Sequence, residues 1–233
     1  MRISETFYSL QGEGKLLGVP SVFVRASGCN LRCTWCDTPY ASWDPEGDDW
    51  PVEKIVADVV RHLGTSGARH VVLTGGEPLI MPDILPLTQA LKACDFHLTI
   101  ETAATVFKAL PIDLASMSPK LSNSTPTQRA GGRFAEAHER QRLRPDVVQQ
   151  FIDSSADFQL KFVVAGEQDL AEIHDLLGQI RGWTPSDVQL MPEGTDAVTL
   201  AGRAAWINDV CLREGFRFSP RLHVQLYGNK RGT

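Results

Sequence analysis

The chain has 233 residues, 42% of them hydrophobic and 22% charged, which is the composition of a soluble globular protein able to bury one sizeable core. Its formal charge of -5 argues against a general nucleic-acid binder, which would carry a basic excess or stripe. No apolar run approaches the ~20 residues needed to cross a bilayer, and the start Met1-Arg2-Ile3-Ser4-Glu5-Thr6 has no apolar core of a secretory signal.

Short β-branched runs alternate with helical patterns along the chain, which predicts parallel strands joined by crossover helices. Ser21 to Ala26 reads as the first strand. Pro51 to Leu63 reads as a helix, with Val52, Ile55, Val56, Val59, Val60 and Leu63 at helical spacing, Pro51 in its first turn and Gly64 at its end. His70 to Thr74 is a second strand, Asp83 to Ala93 a helix, His97 to Glu101 a third strand and Asp113 to Ser118 a fourth. The stretch 125–144 carries Arg129, Arg133, Arg140, Arg142 and Arg144 and reads as a solvated basic helix and loop. Its position after strand four also suits a lid. Phe158 to Val164 is strand five, Gln168 to Ile180 an amphipathic helix, Asp187 to Leu190 strand six, and Thr199 to Glu214 the last helix.

Polar segments follow five of these strands. They are the cysteine loop after strand one, Thr74-Gly75-Gly76-Glu77-Pro78, Glu101-Thr102, Ser118-Pro119-Lys120, and Met191-Pro192-Glu193-Gly194. In parallel α/β sheets the carboxyl ends of the strands form one active face, so these segments are expected around one mouth.

The cysteine loop is Gly28-Cys29-Asn30-Leu31-Arg32-Cys33-Thr34-Trp35-Cys36-Asp37-Thr38, with three residues and then two between the cysteines. A 4Fe-4S cluster has four irons, so three thiolates leave one iron free for a ligand that is not protein. A structural zinc needs four ligands, usually as two pairs, while Cys94 and Cys211 sit alone in apolar stretches and read as buried thiols. Disulfides suit neither an odd number of cysteines nor a chain without a secretory signal. The spacing resembles that of radical S-adenosylmethionine (SAM) enzymes, in which SAM occupies the open iron. Thr74-Gly75-Gly76-Glu77-Pro78 resembles the Gly-Gly-Glu-Pro motif of the same superfamily. Six strand–helix units are too few for a closed eight-fold barrel and match the partial (β/α)6 barrel that this resemblance implies, as a single α/β domain over 1–233 with an N-terminal substrate-binding segment 1–20 and a lid or insert at 125–144.

Three further segments narrow the resemblance. Leu10-Gln11-Gly12-Glu13-Gly14 with Gly18-Val19-Pro20 and Phe23-Val24-Arg25, then Cys36-Asp37-Thr38, then Leu222-His223-Val224-Gln225-Leu226-Tyr227-Gly228-Asn229 are similar to the 7-carboxy-7-deazaguanine synthase family of deazapurine (queuosine) biosynthesis. That resemblance implies a carbon–nitrogen lyase. It would convert 6-carboxy-5,6,7,8-tetrahydropterin to 7-carboxy-7-deazaguanine with loss of ammonia, using SAM, a 4Fe-4S cluster and magnesium. It also implies a cytoplasmic homodimer served by an electron donor such as flavodoxin or ferredoxin.

Residue roles follow from the resemblance. Cys29, Cys33 and Cys36 would hold the cluster and Thr38, a hard oxygen, the magnesium. Trp35, Cys36, Asp37, Gly76, Glu77, Ser118, Pro119, Lys120, Met191, Pro192, Glu193 and Gly194 would contact SAM. Leu10, Gln11, Gly12, Glu13, Arg25, Thr74 and His223 would contact substrate, with Arg25 presenting its planar fork to the carboxylate. Plainer readings stand beside these: a strand-end ion pair for Arg25, a turn residue for Thr38, core packing for Trp35 and a hydrogen-bonded packing residue for His223. Two other functions compete, a radical SAM activase acting on a glycine of a partner protein and a simple electron-transfer protein. The second would use a fourth cysteine.

Overall fold

Alternation at period two builds the frame that carries the site. In a computed structural model describing residues 1–64 and 67–233, the strands are β1 (Arg2–Leu10), β2 (Pro20–Ala26), β3 (Asp48–Asp49), β4 (His70–Gly75), β5 (His97–Thr102), β6 (Leu114–Met117), β7 (Phe158–Val164), β8 (Val188–Pro192) and β9 (Arg217–Phe218). They form one sheet in the order β3-β1-β2-β4-β5-β6-β7-β8-β9. From β2 to β9 every pairing is parallel, while β1 runs antiparallel to β2 and β3. The sheet therefore curves as a partial barrel and does not close on itself.

Successive side chains along a strand point to opposite faces. Val22 and Val24, Val71 and Leu73, Leu98 and Ile100, Leu160 and Phe162, and Val188 and Leu190 join one apolar core with Ile55, Leu87, Phe151, Ile173 and Ile207 of the helices. Burying a side chain such as Phe162, which has no exposure, contributes roughly 1.5–3 kcal/mol. The other parity holds Ser21 and Arg25, His70 and Thr74, Thr99 and Glu101, Ser116 and Ser118, Gln159 and Lys161, and Gln189 and Met191. That concave face is largely polar. Its closed end is bonded internally, with His70 between Ser21 Oγ and Thr99 Oγ1, both at 2.7 Å.

The helices are α1 (Pro39–Ser42), α2 (Val52–Leu63), α3 (Ile84–Ala93), α4 (Ala135–Arg142), α5 (Pro145–Ser154), α6 (Asp169–Gln179), α7 (Ala197–Glu214) and α8 (Leu222–Tyr227). In α2, Ile55, Val59 and Leu63 are buried, Val60 points outward at 50% exposure, and Gly64 caps the end as expected. The Asp196 carboxylate accepts from Thr199 N and starts α7, which Gly215 ends in the left-handed region at φ 72.

Besides the short α1, β3 and β9, three longer elements fall outside the sequence expectation. In β1, a register shift between Ile3 and Glu5 turns Ile3 into the outer core and Phe7 onto the concave face, where it stacks on Phe23 at 4.8 Å. A bulge of this kind breaks the alternation that would have announced the strand. In α5, Pro145 opens a helix that buries Val147, Val148, Phe151 and Ile152. Helix α7 is not the last, because α8 follows it.

The basic stretch 125–144 is a helix, α4, and loop as expected, with Arg140 exposed and Arg144 partly so, but other residues of it are pinned. Arg129 stacks on Trp43 at 4.0 Å and donates to Thr34 O, while buried Arg142 pairs with Glu139 and Glu172. His138 accepts from Arg32 N at 3.1 Å, and Asn30 donates to Gln141. This stretch braces the outer side of the cysteine loop, and none of its residues lines the cavity described next.

Candidate active site

A cavity of about 470 Å³ opens at the carboxyl ends of the parallel strands. The cysteine loop forms one wall, and its position is fixed by backbone contacts with the Gly-Gly turn. Gly76 N donates to Ala26 O at 3.0 Å, Glu77 N to Gly28 O at 2.9 Å, and Gly28 N to Ala41 O at 2.8 Å. A Cβ on Gly76 would stand 2.1 Å from Gly28 O and 2.5 Å from Ala41 O, so only glycine lets these two backbones meet.

Cys29, Cys33 and Cys36 all border the cavity and pack with Leu31, Trp35 and Ala103. Burial pushes the Cys29 and Cys33 thiols up to about 12, so neither is an inherently anionic group that would face the pocket unpaired. Among the described residues, no group of three or more His, Cys, Asp or Glu side chains converges on a single metal-ion position. A four-iron cluster does not require such convergence, because its thiolates bind separate irons. Cys94 caps α3 and Cys211 is buried in α7, both away from the cavity lining.

Trp35 donates from Nε1 to Asn123 O at 3.0 Å, which holds its ring beside the thiols. Thr38 begins α1 without a side-chain capping bond, and its hydroxyl lies 3.8 Å from Cys36 Sγ. Thr38 borders the cavity, and its hydroxyl is the kind of hard oxygen that ligates such a cation as magnesium.

Opposite the cysteine loop, β4 and β5 present an acid. Glu101 accepts from Thr74 Oγ1 at 2.8 Å and from Gln11 Nε2 at 3.1 Å. Arg25 borders the same space, giving its Nε to Glu5 Oε1 at 2.7 Å and lying 5.6 Å from the Phe7 ring. Burial lowers the pKa of Arg25, but Tyr40 and Glu5 together raise it further, so the guanidinium stays charged. Glu5 also accepts from Tyr40 Oη at 3.0 Å and Arg231 Nε at 3.2 Å, which leaves the terminal nitrogens of Arg25 to the cavity. The strand-end ion pair and a place on the cavity wall thus coexist in one side chain.

Leu10, Gln11, Gly12 and Glu13 line the mouth between β1 and β2. Glu13 is clasped by Lys161 and by Arg221, whose Nε lies 3.2 Å away. Burial would raise the Glu13 carboxyl, but Lys161, Arg221 and His223 hold it well below the ordinary carboxylate range. Asp37 pairs with Arg221 as well. Ser118 receives the Lys120 ammonium at 2.8 Å, and Met191, Glu193 and Gly194 complete the rim.

Three of the expected SAM contacts stand apart from the lining, namely Glu77, Pro119 and Pro192. Glu77 is wholly buried and turned into the protein, accepting from Thr102 Oγ1, Ala103 N and Leu79 N. Its carboxylate shapes the turn that carries Gly76. Sequence reasoning missed Lys161 and Arg221 altogether. Lys161 had a signal in Gln159-Leu160-Lys161-Phe162, polar and apolar in alternation, whereas nothing local marks Arg221.

Comparison with known proteins agrees with this arrangement. A Radical SAM superfamily model matches residues 23–122. The chain is 44% identical to the 7-carboxy-7-deazaguanine synthase of Rhodopirellula baltica, over 99% of this chain and 88% of that one. It is 45% identical to the protein of the same name from Halobacterium salinarum, over 97% and 90%. The crystal structure of QueE from Escherichia coli superposes with a TM-score of 0.70 at 27% identity, covering 95% of this chain and 94% of that chain. Streptococcus suis SuiB bound to S-adenosylmethionine shares the fold at a TM-score of 0.57 and 15% identity, covering 84% of this chain and 48% of that one.

Proposed function

The chain belongs to the 7-carboxy-7-deazaguanine synthase family of the radical SAM superfamily, and from that premise we propose that it converts 6-carboxy-5,6,7,8-tetrahydropterin to 7-carboxy-7-deazaguanine with loss of ammonia. The observation that carries this reading is the convergence, in one cavity of about 470 Å³, of three cysteines with the guanidinium of Arg25, the carboxylates of Glu13 and Glu101, and the hydroxyl of Thr38. A space of that size is that of a small-molecule site with a few convergent polar groups, which favours a synthase over an activase acting on a partner protein. We assign the enzyme to the carbon–nitrogen lyases. We also expect it to work as a cytoplasmic homodimer whose electrons come from a flavodoxin or ferredoxin.

Cys29, Cys33 and Cys36 would hold a 4Fe-4S cluster, which together with SAM would supply one-electron, hydrogen-abstracting chemistry. The protein's own groups bind, orient and exclude water. Arg25 offers its free terminal nitrogens to the pterin carboxylate, a planar match that also fixes which ring carbon faces the cofactor side. Gln11, Glu13 and Glu101 offer acceptors to the donor-rich pterin edge, with Thr74 holding Glu101 in place. His223 covers Gly12 and closes that side of the pocket. Thr38 offers oxygen to a magnesium whose remaining ligands come from substrate and water. On the SAM side, Trp35, Asp37, Gly76, Ser118, Lys120, Met191, Glu193 and Gly194 surround the methionyl, ribose and adenine groups, with Glu77, Pro119 and Pro192 supporting their backbones.

The experiment is anaerobic reconstitution followed by addition of SAM, a reductant and magnesium, with and without carboxytetrahydropterin. The expected result is an ultraviolet-absorbing deazaguanine and released ammonia that require the pterin and magnesium. Methionine and 5'-deoxyadenosine formed at the same rate with or without pterin, and no deazaguanine, would overturn the substrate.

A further inference from the structure

Arg221 stands where three distant parts of the chain meet. Its Nε faces Glu13 Oε1 at 3.2 Å, its Nη1 donates to Gly194 O at 2.5 Å, and its Nη2 donates to Asp37 Oδ2. Only 7% of its side chain is exposed, matching Lys161, and Glu13 is exposed by 13%. Two cations and the Glu13 carboxylate are therefore packed together with little water to reorient them, while Asp37, 35% exposed, takes the outer side of the guanidinium. Lys161 is a compact charge that touches Glu13 from β7 and sets no angle. A guanidinium is a planar fork, and one bound to three acceptors has no freedom left to rotate.

Arg221 also opens α8, the helix that sits on the mouth segment. Leu222 N donates to Gly12 O at 2.9 Å, and the His223 ring lies over Gly12. The backbone of the segment is thus fixed by the residue after Arg221, and the carboxylate of Glu13 by Arg221 itself.

We infer that Arg221 is a positioning residue that aims the Glu13 carboxylate at the pterin, and that it references this aim to the two segments that flank SAM through Asp37 and Gly194. The inference rests on Glu13 being a substrate contact. Arg221 acts through Glu13 and binds no substrate atom of its own. Losing it leaves Glu13 with one buried cation and free to turn, and a carboxylate that is not aimed forfeits its charge-assisted bonds to the ligand.

The test is a double-mutant cycle read on binding and not on turnover. The probe is 6-carboxypterin, the fluorescent oxidised form of the substrate, titrated into cluster-free protein. Glu13→Gln is expected to weaken binding roughly tenfold or more, and Arg221→Met by a similar factor. The double variant is expected to bind no more weakly than Glu13→Gln alone, because with its carboxylate gone Arg221 has nothing to aim. Multiplying factors in the double variant would show that Arg221 supports the fold or binds pterin directly, and would overturn the inference. If Glu13→Gln weakens binding and Arg221→Met does not, the inference fails while the substrate reading stands. If Glu13→Gln has no effect, both fail. Melting curves by circular dichroism accompany each variant, and should Arg221→Met not fold, the same cycle with Arg221→Lys applies the same criterion, since lysine keeps the charge and loses the fork.

Discussion

The imidazole of His223 rests directly on Gly12: a Cβ built on Gly12 would lie 2.1 Å from His223 Nδ1 and 2.9 Å from its Cγ. Gly12 is therefore needed for a close approach between a mouth segment and a helix more than two hundred residues away, and not for a turn. Gly12→Ala should destabilise the protein by about 1–3 kcal/mol in urea unfolding, the usual cost of overpacking. Adding His223→Ala should remove most of that loss by clearing the clash. Additive losses would mean that Gly12 is required for its backbone alone.

Gly76→Ala should behave differently, because its Cβ would meet the carbonyls of Gly28 and Ala41 and no side chain can rotate away. The expected loss is about 3 kcal/mol, with the cysteine loop displaced. Iron content after anaerobic reconstitution should fall along with stability. A variant as stable as the parent and fully loaded with iron would contradict the contact.

Arg25→Ala should raise the KM for carboxytetrahydropterin roughly tenfold or more, the scale of a lost charge-assisted pair, while SAM binding to the reconstituted protein stays within about twofold. Glu5 keeps Tyr40 and Arg231 as partners in this variant, so the local fold is preserved. Equal losses in pterin and SAM binding would remove Arg25 from the substrate carboxylate.

Thr38→Ala should shift the magnesium concentration needed for half-maximal turnover upward by roughly tenfold, the value of one charge-assisted oxygen contact. Because the Thr38 hydroxyl does not cap α1, its removal should leave the melting temperature nearly unchanged. An unaltered magnesium response would place the metal elsewhere.

The closed end of the barrel predicts a pH effect on stability. Burial, with the neighbouring His97, lowers the pKa of His70 to about 4, against an ordinary value of 6.5. Between those values the unfolded chain holds a proton that the folded chain refuses, so stability rises with pH through this window and is lost as pH falls from 6.5 towards 4. The contribution is about 3 kcal/mol, on the order of 1.4 kcal/mol per unit of pKa. His70→Gln, which keeps partners for Ser21 and Thr99, should reduce the fall in unfolding free energy between pH 7 and pH 4.5. An identical fall in both proteins would show that His70 does not titrate there.

Much of the frame is legible in the sequence, as the coincidence of Phe158 to Val164 with β7 shows, because a strand between helices carries its own apolar run. Strand β1 was not readable, since its bulge moves Ile3 and Phe7 to opposite faces. The basic stretch 125–144 holds the expected surface helix, α4, but its anchoring is not legible for another reason. Arginine content says nothing of partners, and Arg142 finds Glu172 only when α4 and α6 are brought together.

The sequence by itself determined the cysteine loop, the Gly-Gly turn and the parallel α/β order, because each depends on spacings within a few residues or on a period of two or 3.6. Only the tertiary structure decided which charges share the cavity. Glu13, Asp37, Lys161 and Arg221 come from four separate segments, and Arg221 lies 208 residues from the carboxylate it grips. A buried ion pair is specified by the distance between side chains after folding, and no local pattern in a chain encodes that distance.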